Sequence, residues 1–139
     1  MLHNFYGTNG SLPTAEVVDG PEGKLYGTTF QGGVTDKGVA YRIAKDGTEF
    51  ELLHEFGAAE GDGVNPVGNL LVGRDGWLYG TCFAGGTINA GTIFRLRSDG
   101  SEYSTLRDLT AEDGTAIQSS LIEARDGQLY GTASRGGAN

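Results

Sequence analysis

The tetrapeptide Leu-Tyr-Gly-Thr recurs three times along the chain at nearly constant spacing. The second copy begins 53 positions after the first, and the third begins 51 positions after the second. A period of about 50 residues is typical of one four-stranded propeller blade per repeat and is too long for short-coil solenoids. We interpret the tetrapeptide as a structural repeat motif, and its copies are Leu25, Tyr26, Gly27 and Thr28; Leu78, Tyr79, Gly80 and Thr81; and Leu129, Tyr130, Gly131 and Thr132.

Turn chemistry divides each repeat into four strand-length runs, called a to d. In the second repeat, Asp75-Gly76 separates strands a and b, and Asp99-Gly100 separates strands c and d. Asp-Gly pairs supply the positive φ angles of tight hairpins. The 25 glycines among 139 residues fit many such turns, and alternating apolar residues favour strands over helices.

These runs predict an all-β fold of β-propeller-type blades, each made of four antiparallel strands. A β-sandwich is the alternative, but it would not require three similar copies at this period. The chain would hold about two and two-thirds repeats in a single repeat domain, 1–139. Its expected parts are an N-terminal strand d at 1–6, a first blade at 13–56, a second blade at 66–109, and a partial third blade at 117–134 that lacks strands c and d.

Charge and composition limit the classes of partner. Ten basic and 18 acidic residues give a net charge of −8, which opposes binding to nucleic acid or to an anionic membrane. No apolar run approaches the length of a membrane span, so membrane insertion is not expected. The one cysteine, Cys82, excludes an internal disulfide. No cofactor is expected, and the compartment stays undetermined because the sequence shows no signal peptide or anchor.

Several motifs in fixed order carry a resemblance to a known family. They are Asp-Gly-x-Leu-Tyr-Gly-Thr at 75–81, Gly-Gly at 85–86, Gly-Thr-Ile-Phe at 91–94, Asp-Gly at 99–100 and Leu-His-x-Phe at 53–56. This order resembles the GloVer tandem repeat of bacterial proteins and extends over essentially the whole chain. The resemblance implies propeller-like repeats in a secreted or surface-anchored protein, and it supplies no catalytic residue.

The residues that could suggest chemistry have simpler structural interpretations. His3 and His54 occupy one repeat position without further ligands at metal-binding spacing, and Arg107 replaces them in the third copy. We therefore predict no metal site. The aspartates that precede glycine serve hairpin turns, and Cys82 aligns with the small residues Thr29 and Ala133, which indicates a buried side chain.

Ligand binding is expected in the loops that differ most between repeats, because binding residues favour such loops. The d-to-a and b-to-c connections emerge at the same end of a four-stranded meander and would form one face for a glycan or a protein. The alternative is a carbohydrate-active hydrolase that uses Asp62 and Asp113 as paired carboxylates. The candidate binding residues on this face are Asp36, Glu60, Asp62, Asn65, Asn89, Glu112 and Asp113.

Incomplete blades would leave strand edges and apolar faces in water. We therefore expect self-association, in the form of a homodimer. Two complete blades from each copy and two composite blades would close a six-bladed ring. The alternative is that the sequence is a piece of a longer array.

Overall fold

The computed structural model describes residues 2–136, and strands dominate it. Eight strands form two four-stranded antiparallel sheets in which neighbours along the chain are neighbours in the sheet. The first sheet contains β1 (Val18–Asp19), β2 (Leu25–Thr29), β3 (Val39–Ile43) and β4 (Glu51–Glu55). The second contains β5 (Gly63–Val72), β6 (Leu78–Gly85), β7 (Thr92–Leu96) and β8 (Tyr103–Asp108).

The third repeat forms two short antiparallel pairs. Strand β9 (Thr115–Ile117) pairs with β12 (Ala133–Arg135), and β10 (Ile122–Glu123) pairs with β11 (Leu129–Tyr130). Together the pairs make an interrupted a–b hairpin. The described residues contain one 3-10 turn, Pro21–Gly23, between β1 and β2, and no helix among them is long and apolar enough to cross a bilayer.

The structure changes several predicted boundaries. The second sheet starts at Gly63 rather than at residue 66, while strand a of the first repeat is reduced to Val18–Asp19. The prediction of a strand at 1–6 is wrong for residues 2–6, which form no strand; Met1 lies outside the described residues. In the two complete repeats, strand d pairs with strand c of the same repeat. Among the described residues, no strand c pairs with residues 2–6.

The hairpin turns form as the Asp-Gly pairs predict. In each of four turns, the aspartate Oδ1 accepts the backbone N–H two residues later, which stabilises the turn. These hydrogen bonds measure 2.9–3.0 Å and join Asp46 to Thr48, Asp75 to Trp77, Asp99 to Ser101 and Asp126 to Gln128. The motif tyrosine adds a second bond in two repeats, since Tyr79 and Tyr130 donate their hydroxyls to Asp75 and Asp126 at 2.5 and 2.9 Å.

The motif glycine of the second repeat, Gly80, leaves space for the side chains of Leu70 and Phe94. Opposite Gly80, strand β5 carries extra residues, because Val67 pairs with Thr81 while the next pair is Leu71 with Tyr79. This excursion turns Leu70 inward, and the Phe94 ring covers Gly80 from strand β7. A Cβ at position 80 would overlap that ring and lie 3.0 Å from Leu70 Cδ2. Only glycine fits without displacing its neighbours.

The two apolar residues of the motif point to opposite faces of the sheet. Leu78 lies fully buried in the main core, together with Tyr26 and Leu70. Tyr79 packs on the other face against Leu121 of the third repeat. The second sheet is therefore covered on both faces, which is the environment of a middle layer in a stack of sheets.

One aromatic contact between successive repeats occurs twice. His54 of strand β4 stacks on Tyr103 of the second sheet, with ring centroids 3.6 Å apart. Near the start of the chain, His3 stacks on Phe50 of the first sheet at 3.9 Å. Residues 2–5 thus occupy the strand-d position against the first sheet, although they form no ladder.

Candidate functional site

The d-to-a and b-to-c connections meet at one end of the sheets, which we call the loop end. In the second repeat, Asp108 at the end of strand d accepts the backbone N–H of Thr87 in the b-to-c loop at 2.9 Å. In the first repeat, Glu55 accepts the N–H of Val34 at 3.4 Å in the same way. The strand-d carboxylates therefore hold the two connections together at this end.

Two candidate binding residues close the b-to-c loops. Asp36 Oδ1 accepts the N–H of Gly32 at 3.0 Å, and Asn89 Oδ1 accepts that of Gly85 at 2.8 Å. Both residues have positive φ angles, 56° and 57°, which Asn and Asp tolerate better than most residues. Their side chains are thus engaged in fixing the loop conformation.

Another recurring arrangement, which we call the loop latch, follows strand d in each repeat. An Asn or Asp side chain accepts a backbone N–H from Tyr6, Gly57 or Thr110 at 2.8–3.0 Å. The same side chain contacts a nitrogen-bearing side chain on the strand-d segment before it. The pairs are Asn9 with His3, Asp62 with His54 and Asp113 with Arg107.

Asp62 is the buried member of this series, and only 3% of its side chain is exposed. Burial alone would raise its pKa, but the hydrogen bond from His54 Nε2, 3.1 Å away, helps to hold the pKa below its ordinary value. Because a carboxylate only accepts hydrogen bonds, this contact requires a proton on His54 Nε2. Asp62 Oδ1 lacks a partner among the described residues, as do the buried hydroxyls of Tyr103 and Thr92.

The thiol of Cys82 lies near this group, next to Gly63 and Thr92. It is fully buried, as its alignment with small residues predicts. Burial raises its pKa, so the thiol stays protonated and is a poor nucleophile.

The remaining candidate residues have separate environments. Asn65 donates from Nδ2 to the carbonyl of Phe30 at 2.9 Å and so connects the second repeat to the first. Glu60 and Glu112 are exposed. Within residues 2–136, neither makes a hydrogen bond or an ion pair. Asn65 lies within strand β5, whereas the other six candidates lie in the b-to-c or d-to-a loops, and the seven do not converge on one pocket.

A groove of about 550 Å³ lies at the loop end, and we call it the loop-end groove. It crosses all three repeats and combines two phenylalanine rings with a few polar groups. None of the seven candidate residues lines it. Its lining residues are Thr14, Ala15, Phe30, Val67, Gly68, Asn69, Phe83 and Gln118.

The sequence-based prediction did not include the groove, because it placed binding residues at positions where the repeats differ. The groove is built instead from corresponding positions. Phe30 and Phe83 are 53 residues apart, while Thr14, Val67 and Gln118 fall at one position of the three repeats. The phenylalanine two residues after the Leu-Tyr-Gly-Thr motif in the first and second repeats was a usable signal.

Among residues 2–136, no group of three or more His, Cys, Asp or Glu side chains is arranged to hold a metal ion. Sheet topology and the recurring contacts define the class of protein, an all-β tandem repeat built from four-stranded antiparallel sheets. A family model, the Gloeobacter/Verrucomicrobia repeat, matches residues 1–139, and the chain belongs to this family. A comparison with curated proteins found no match.

Proposed function

We propose that the chain is a non-catalytic β-propeller-type module that stacks its repeats through one recurring interface and binds a glycan or a protein segment in the loop-end groove. The recurring aromatic contact carries the propeller part of this proposal. His54 and Phe56 pack on Tyr103, and His3 and Phe5 pack in the same way on Phe50. Applying one sheet-to-sheet step repeatedly generates the radial array of a propeller.

The groove supports the binding part. Ligand sites are concave and largely apolar, with a small number of polar groups that fix orientation. Phe30 and Phe83 supply flat apolar surface, and Thr14, Asn69 and Gln118 supply donors and acceptors. Sugars present both C–H faces and hydroxyl groups, and peptides present apolar side chains and amides, so both classes fit this lining.

A glycan array probed with the labelled chain tests the binding proposal, with a library of immobilised peptides as the second arm. Phe83→Ala should abolish the signal, because it removes one of the two rings of the groove. Leu106→Ala is the matched control, since Leu106 is exposed on strand β8 and does not line the groove. Binding that survives both Phe30→Ala and Phe83→Ala would refute the groove as the site.

The hydrolase alternative gains no support from Asp62 and Asp113. A glycosidase needs one carboxyl group with a raised pKa to act as a general acid. Here the pKa of both groups is lowered, that of Asp113 to about 2, chiefly by the hydrogen bond from Arg107. We therefore propose no catalytic role for this pair and expect no hydrolysis of a panel of polysaccharides by the parent chain.

We also propose that two copies associate to complete a six-bladed ring. The apolar side chains Ile122 and Tyr130 of the third repeat are 62% and 50% exposed, and association would remove this surface from water. Light scattering at micromolar concentration tests the proposal, which requires the mass of a dimer.

A further inference from the structure

Inside the chain, successive repeats pack through one pair of complementary faces. One face presents a motif tyrosine and the aliphatic residue opposite it on strand a; the other presents two aliphatic residues of the next repeat. Val18 and Tyr26 of the first repeat thus share a core with Leu70 and Leu78 of the second. In the next contact, Leu71 and Tyr79 pack with Leu121 and Leu129 of the third repeat.

The same faces remain open at the two ends of the stack. At the third repeat, Ile122 and Tyr130 occupy the positions of Leu71 and Tyr79, yet they are 62% and 50% exposed, whereas Tyr79 is 8% exposed. At the first repeat, Val17 and Leu25 correspond to Leu70 and Leu78. Val17 is 40% exposed, whereas Leu70 is 4% exposed.

We infer that the Ile122–Tyr130 face is a docking surface for the Val17–Leu25 face of a second copy of this chain. This inference rests on the proposed self-association and specifies its contact surfaces. The occupant follows from continuity, since each internal copy of the first face is covered by a copy of the second. The contact is head-to-tail, and two such contacts related by a twofold axis close a dimer.

A series of hydrogen bonds lies beside these apolar contacts, and it also favours a second copy of the chain as the partner. Glu16 donates its backbone N–H to Asn69 Oδ1 at 2.9 Å, and Asn69 donates its N–H to Ser120 Oγ at 2.7 Å. These three residues share one repeat position. In the docked pair, the N–H of Ser120 faces Glu16 of the second copy, whose carboxylate is an acceptor. The polar series therefore continues across the contact with the correct pairing of donor and acceptor.

Charge-swap variants test these faces. Ile122→Asp and Val17→Lys each place a charge in one apolar face, and each variant alone should fall from dimer to monomer in light scattering. Mixed in equal amounts, the two variants should recover the dimer. One contact of the mixed pair is then unaltered, and the other brings the aspartate to the lysine. Val34→Asp is the control, because Val34 is 82% exposed in a b-to-c loop and its substitution should leave the dimer intact.

Folding is checked in every variant through the fluorescence of Trp77, the one tryptophan of the chain, since Val17 and Ile122 are exposed enough to be replaced without loss of the fold. A parent dimer that neither substitution weakens, or variants that fail to recover the dimer on mixing, would overturn these faces while self-association stands. A monomeric parent would overturn both. Glycan and peptide binding in the groove is measured separately with the monomeric Ile122→Asp variant. This measurement tests the proposed binding function independently of self-association.

Discussion

Replacing the motif glycine of the second repeat by alanine, Gly80→Ala, tests the physical origin of the Leu-Tyr-Gly-Thr motif. The new Cβ would overlap the Phe94 ring and lie 3.0 Å from Leu70 Cδ2. Phe94 is fully buried, with the rings of Phe56 and Tyr103 at centroid distances of 5.0 and 5.7 Å. These two rings restrict the movement of Phe94 away from a new methyl group.

Overpacking a buried site costs about 1–3 kcal/mol of stability. Replacing glycine by alanine also lowers the conformational entropy of the unfolded chain, which stabilises the folded state by about 0.4–1 kcal/mol. The expected net loss of stability is thus about 1–2 kcal/mol. With a urea m-value of about 2 kcal/mol/M, the unfolding midpoint should fall by about 0.5–1 M. Urea titration followed by Trp77 fluorescence measures it.

Two controls isolate the ring contact. Gly131→Ala changes the same motif position in the third repeat, where the new methyl group would lie 2.8 Å from Leu121 Cδ2 and meet no aromatic ring among the described residues; its loss of stability should be smaller. In a Phe94→Leu background, Gly80→Ala should cost at least about 1 kcal/mol less than in the parent, a coupling of the size found between contacting residues. A Gly80→Ala midpoint at or above that of the parent would refute the reasoning.

Three further predictions concern single contacts and pH. Arg97→Ala removes a guanidinium 3.8 Å above the Trp77 ring, so the Trp77 emission should shift to longer wavelength and stability should fall by about 0.5–1 kcal/mol; an unchanged spectrum contradicts this. Asp62→Asn weakens the contact with His54 and should lower stability by about 1–3 kcal/mol in urea titration, and a neutral effect argues against the latch. The pKa values of Asp62 and Asp113 are lowered in the folded state, so these groups stabilise the fold at pH values above their unfolded-state pKa of about 3.9. The urea midpoint should therefore stay constant from pH 7 to 5 and fall between about pH 4 and 2. A midpoint that is constant down to pH 2 refutes this.

The sequence predicted the parts of the fold that depend on local chemistry. Asp-Gly pairs placed the turns of the second repeat, since Asp75-Gly76 lies between the observed strands β5 and β6, and Asp99-Gly100 lies between β7 and β8. The bounds of strand a were harder to predict, because its extra residues lie opposite Gly80, which is covered by the Phe94 ring of strand β7. No local sequence pattern indicates that contact. The segment 2–6 has the pattern of strand d but forms no ladder, since pairing requires a neighbouring strand that the pattern alone does not supply.

The candidate site was less predictable. The acidic side chains of Asp62 and Asp113 in variable loops predict ligand binding, yet each accepts a backbone N–H of its own loop. The correspondence with Asn9 was obscured by unequal loop lengths, because Asp62 lies eight residues after His54 whereas Asn9 lies six after His3. The loop-end groove depends on how three repeats are placed side by side, which is a tertiary property.

The recurring interface also has a consequence for cooperativity. When each unit touches only its neighbours, total stability is close to a sum of unit terms and nearest-neighbour terms, as in a one-dimensional lattice. The second sheet has a neighbour on each side, so its amides should exchange with solvent most slowly. Among the described residues of a single copy, the hairpin of the third repeat packs against the second sheet alone, so in a monomeric variant such as Ile122→Asp it should open first and independently. A ligand that bridges repeats would couple that opening to the rest of the stack.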